Sequence, residues 1–170
     1  MVPVMKETTE QYVERILSFS NGRDPIAVLT NTPARLRALV DSTPMERWTT
    51  RPAPDRWSAA VILAHLADSE IVGAWRLRSI IASDGVAIQA YDQDAWAAAF
   101  KYEDADVQQS LATFSTVRSS NLSLLRRIED HRFDHYGMHA ERGRETVRQL
   151  IRLYAGHDLN HLGQIERLVL

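Results

Sequence analysis

The stretch VRQLIRLYAGHDLNHLGQIERL, residues 147–168, decides the fold. Its apolar positions Val147, Leu150, Ile151, Tyr154, Ile165 and Leu168 recur at three- and four-residue steps, the spacing of one helix face. His157 and His161 lie on the same stripe, four residues apart, so both imidazoles are expected to point inward from adjacent turns. A helix with such a face needs partners to bury it.

The rest of the chain supplies three. A third core helix is expected from about Asp104 to Glu129, with Val107, Leu111, Phe114, Val117, Asn121, Leu124 and Ile128 on its stripe. The second runs from an N-cap at Ser58 to about Ser83; Val61, Ile62, Leu66, Val72 and Trp75 mark its buried side, with His65 among them. The first spans about Asp24 to Val40, where Pro33 predicts a kink or a break. Residues 1–23 read as an N-terminal extension with room for a short helix over Thr8 to Phe19. Residues 84–103 form a long connector holding Tyr91, Asp94 and Trp96. No strand pattern or repeat is evident. The expectation is an all-α domain over residues 24–170, a four-helix bundle with a long crossover connection between helices two and three.

Composition narrows the function. The 170 residues are 45% apolar and 25% charged, an ordinary globular balance, with a net charge of -2. That charge gives no case for nucleic acid, and no apolar run approaches the ~20 residues of a membrane span. The opening MVPVMKETTE lacks the pattern of a signal peptide, so a cytoplasmic protein is expected. Cysteine is absent, which removes disulfides, thiolate ligands and a cysteine nucleophile. Any metal must be held by nitrogen and oxygen.

Three histidines on apolar stripes are an expensive set, because each one buried without partners costs roughly 1–3 kcal/mol. A divalent cation would engage their nitrogens, and imidazole suits zinc, nickel, copper or iron. Depth agrees with this. His65 lies about 10 Å into its helix and His161 about 14 Å from the chain's end, at ~1.5 Å per residue. These levels coincide if helices two and four run antiparallel, which a crossover at residues 84–103 allows. Simple hydrogen-bonded core histidines remain the rival reading. His131, His135 and His139 share the four-residue spacing, but their polar, glycine-broken surroundings mark them as turn or surface residues.

The segments RPAPDRWS (51–58), HLADSE (65–70), YDQDAW (91–96) and GHDLNHLGQ (156–164), in that order and spacing, resemble the DinB-like (DinB/YfiT) superfamily from about Asp24 onward. The resemblance implies a crossover four-helix bundle, often dimeric, binding a divalent metal (zinc or nickel before iron or manganese) through His65, His157 and His161. It further implies a metal-dependent enzyme, either a hydrolase or a transferase using a low-molecular-weight thiol such as bacillithiol or mycothiol, acting on a small electrophile. A non-catalytic metal- or ligand-binding module and an interaction domain with merely hydrogen-bonded histidines are the alternatives. Asp68, one turn from His65, is a candidate base or imidazole-orienting group, with a solvated carboxylate as its bland alternative. Asp158 reads as solvent-facing or part of an interhelix pair, Gln164 as a donor behind the site, and Trp57 and Trp75 as core.

Overall fold

The computed structural model describes residues 7–170; residues 1–6, which open the expected extension and the stretch without a signal pattern, lie outside it. The helices are α1 (Thr9–Phe19), α2 (Pro25–Ser42), the short α3 (Met45–Thr49), α4 (Ala59–Ala82), α5 (Gln93–Ala99), α6 (Val107–Leu125) and α7 (Val147–Val169). Side chains set the starts. Asp24, Ser58, Asp106 and Thr146 each accept a hydrogen bond from a first-turn backbone N–H, and Thr146 forms a reciprocal capping box with Gln149. No described helix is long and apolar enough to cross a membrane.

Cross-helix contacts give the directions. Glu70 meets Arg118 and Arg78 meets Asn121, so α4 and α6 run parallel. Thr32 meets Asp158 and Arg35 meets Glu166, so α2 and α7 also run parallel. Ser69 meets Tyr154 and His65 meets His157, so α4 and α7 are antiparallel. The bundle is therefore up-down-down-up, and the connector between α4 and α6 crosses its length as expected.

Two apolar clusters fill it, one around Leu36, Trp48, Leu63, Phe114 and Ile165, the other around Leu77, Ile80, Leu122, Leu150 and Ile151. Between them lies a buried polar layer centred on Arg118, 2% exposed. Its guanidinium donates to both oxygens of Glu70 (2.9 and 2.8 Å) and both of Asp158 (2.6 and 3.0 Å). It also donates to the carbonyl of Leu29 (2.9 Å). That carbonyl is the one Pro33, lacking an N–H, leaves without its helical donor. Arg118 replaces the missing bond, and α2 continues through Pro33 without the expected break. Asp158 is thus an interhelix pair and not a solvent-facing group.

Three expectations need correction. Short strands are present: β1 (Val86–Ile88) pairs parallel with β2 (Tyr136–His139), which pairs antiparallel with β3 (Gly143–Thr146). At three or four residues each, they are too short to show an alternating pattern. His139 is buried, 3% exposed, because β2 packs on α4 with Gly137 against Ile80. Trp75 is 72% exposed. Residues 59–67 are buried on every face of α4, so the front of that helix carries no stripe from which to extrapolate to Trp75.

Candidate metal centre

The extension shapes the site. Helix α1 lies along α7, and Gly156 permits the approach, since a Cβ there would strike the backbone carbonyl of Ile16. His157 and Asp158 are neighbours in α7 and point about 100° apart. Asp158 enters the bundle centre, and His157 faces the side covered by α1 and the connector. His65 on α4 and His161 one turn further along α7 face the same way.

The three imidazoles converge. Their ligand nitrogens all lie within 4.8 Å of one another, and ring centroids are 5.2, 5.0 and 4.4 Å apart. The Nε2 atoms of His65 and His157 are 3.1 Å apart. Two nitrogens bound ~2.0–2.1 Å from one zinc ion at right to tetrahedral angles would be about 2.9–3.4 Å apart, so this pair fits a common ion. Nδ1 of His161 donates to Oε1 of Gln164 at 2.8 Å, because that oxygen only accepts. The bond leaves the Nε2 lone pair of His161 free to ligate. Gln164 is an acceptor behind the site, where a donor was expected. Nδ1 of His65 is buried and finds no partner among the described residues.

All three rings are held neutral, the state a ligand needs. Burial, reinforced by the His161 charge, pushes His65 down to about 3. Burial with His161, His65 and Arg118 holds His157 well below the usual range. Burial lowers His161 to about 4, against the opposing hydrogen bond to Gln164.

The sequence profile of the DinB superfamily matches residues 29–165. The chain belongs to the DinB superfamily. Two curated relatives are similar across most of their length. YfiT of Bacillus subtilis, provisionally named a metal-dependent hydrolase, is 27% identical over 84% of this chain and 81% of the relative. A Halalkalibacterium halodurans protein with the same provisional name is 23% identical over 85% and 84%. The solved structure of YfiT, described as having an unusual four-helix bundle topology, superposes with a TM-score of 0.78 at 25% identity. The match covers 99% of this chain and 91% of that one.

In this DinB-superfamily chain two cavities flank the histidines. The larger, about 630 Å³, is lined by His65 and His157; the smaller, about 380 Å³, by His161 and Gln164. Tyr12, Gln93 and Asp94 border both. Tyr91 lines the larger, its hydroxyl 2.8 Å from Ser69 Oγ, and burial raises its pKa. Trp96 stands behind Tyr91 with rings 4.6 Å apart. Asp68 accepts from Tyr102 Oη at 2.6 Å and lines neither cavity. Trp57 packs against the core, its ring 5.3 Å from that of His65. His131 is exposed, and His135 is half-buried with Nδ1 3.3 Å from the carbonyl of Ile80.

The polar layer and the α1 wall were not foreseen. Arg118 falls on the face of Phe114, Asn121 and Leu125, at steps of four, three and four. A charge on that stripe was the available signal. Glu7, Thr8 and Tyr12 sit in the extension and line the larger cavity, which no local pattern announces.

Proposed function

We propose that His65, His157 and His161 hold one divalent metal ion, zinc or nickel by ligand type, and that the chain is a metal-dependent enzyme acting on a small electrophilic substrate. The observation that carries this is the convergence of three neutral imidazoles beside a cavity of about 630 Å³, within the size range of small-molecule sites. Three protein nitrogens leave coordination positions open, as catalytic centres do. When bound, such an ion supplies Lewis acidity, which polarises a carbonyl or lowers the pKa of a water or thiol that reaches it.

The chain's own groups do the rest. Gln164 fixes the tautomer of His161. Tyr154 donates to the carbonyl of Ser69 at 3.2 Å and holds α7 against α4 between the ligands and the second apolar cluster. Tyr91 and Ser69 present paired hydroxyls in the larger cavity, and α1 contributes Thr9 and Tyr12 to its wall. Asp68 enters this reading through Tyr102, fastening the connector.

Hydrolysis is the reaction in the relatives' names, and transfer of a low-molecular-weight thiol is the second candidate. Zinc- or nickel-loaded protein should be assayed on ester and amide panels, and on electrophiles with bacillithiol or mycothiol. Turnover that a chelator abolishes, and that H157A lacks, supports the proposal; the panel that responds names the reaction. A metal-loaded protein inert on both panels refutes catalysis and favours a binding module.

A further inference from the structure

Eleven residues after His65, three helical turns along the same face of α4 and about 16 Å away, stands Arg76. It is 5% exposed and lines the larger cavity together with His65 and His157. Among the described residues its only hydrogen bond runs from Nη2 to the carbonyl of Gln89 at 2.9 Å, and its charge lies 5.7 Å from the centre of the Tyr91 ring. Among the described residues its buried Nε has no partner, and no salt bridge joins it to a carboxylate. Arg118, the other deeply buried guanidinium, carries two carboxylates. A buried charge left without a counter-charge is costly, and such a group persists where something else supplies the anion.

Two neighbours on the hairpin favour the same ligand. His139 accepts at Nδ1 from the backbone N–H groups of Glu141 (3.2 Å) and Arg142 (3.3 Å). Its proton therefore sits on Nε2, a buried donor with no partner among the described residues. Burial, reinforced by the charges of Arg142 and Arg76, pushes His139 down to about 4, so it donates while neutral. Arg142 spends Nε and Nη2 on Glu145, at 3.1 and 2.9 Å, and its Nη1 makes no hydrogen bond among the described residues. Glu145 itself does not line the cavity; with Arg76 and Arg142, which do, it leaves one net positive charge. The carboxylates that line the cavity, Glu7, Asp92, Asp94 and Glu141, are all exposed, where water screens them.

We propose that Arg76, with His139 and Arg142, forms an oxyanion-recognition subsite at the end of the cavity away from the histidine cluster, so that the substrate is a small molecule bearing a carboxylate or phosphate. This deepens the metal-enzyme reading and rests on it for the word substrate; the anion site itself needs no metal. Guanidinium favours planar oxyanions through paired hydrogen bonds, and Tyr91, Leu153 and Tyr154 supply an aromatic and apolar passage between the two ends.

The test uses chelator-treated full-length protein in Tris-chloride, titrated calorimetrically with inorganic phosphate, with benzoate and with neutral benzamide. One anion should bind per chain, with benzamide at least tenfold weaker than benzoate; whichever of phosphate and benzoate binds tighter names the group. R76Q should weaken the anion at least tenfold, and H139Q less. H157A should leave binding unchanged, which separates this site from the metal reading. Equal affinity for benzoate and benzamide, or loss of anion binding in H157A but not in R76Q, would overturn the proposal. If R76Q fails to fold, the benzoate–benzamide comparison and H139Q still decide it.

Discussion

Replacing Arg118 with methionine removes a cation that joins all four long helices. Glu70 and Asp158, 3% and 1% exposed, would then face each other without a counter-charge, and the Leu29 carbonyl would lose its donor. Burial disfavours the charge of Arg118 itself, but Asp158 and Glu70 more than offset this and raise its pKa. Breaking one buried pair by deleting a partner costs about 3–5 kcal/mol. Here two carboxylates are stranded, so the loss in R118M should reach about 5 kcal/mol, much of the roughly 5–15 kcal/mol of a domain. Urea unfolding followed by circular dichroism measures it. Adding E70Q and D158N should return at least half the loss, since neutral amides are cheaper to bury than anions. A loss in R118M below about 1 kcal/mol, the worth of a surface pair, would refute the buried network.

Acid should destabilise the metal-free protein through the histidines. Below about pH 6.5 the unfolded chain takes up protons that His65, at about 3, and His161, at about 4, refuse in the fold. Stability is therefore full above pH 6.5 and falls as pH drops, by up to about 2 kcal/mol per histidine at pH 5. Bound metal adds to stability at neutral pH and much less at pH 5, so chelator-dependent melting shifts of equal size at both would contradict histidine ligation. G156A should cost about 1–3 kcal/mol despite alanine's better helix propensity, and hydrogen exchange should show α1 released from α7; unchanged protection of α1 would refute the close packing. Q164L should weaken metal binding roughly 10–100-fold at unchanged stoichiometry, whereas an unaltered dissociation constant would remove Gln164 from the site.

The bundle was legible because α6 buries one face and exposes the other, and α7 repeats its apolar residues at helical steps. The histidine cluster was legible for the same reason, with two members on one stripe and the third at a matching depth. Its cover was not. Helix α1 owes its place to a glycine on a helix 140 residues away, and the three strands are shorter than the period needed to see them. Trp75 misled because the front of α4 is buried all round. Arg118 escaped notice because a charge on an apolar stripe makes sense only once Glu70 and Asp158, on two other helices, are known to surround it.

Metal content is the most direct test of the central claim. Purified protein, stripped and reconstituted separately with zinc and nickel, should carry about one ion per chain by elemental analysis. H65A, H157A and H161A, checked for folding by circular dichroism, should each lose most of it. A wild-type protein that takes up neither ion, or a folded variant that keeps full occupancy, would contradict a centre built from these three histidines.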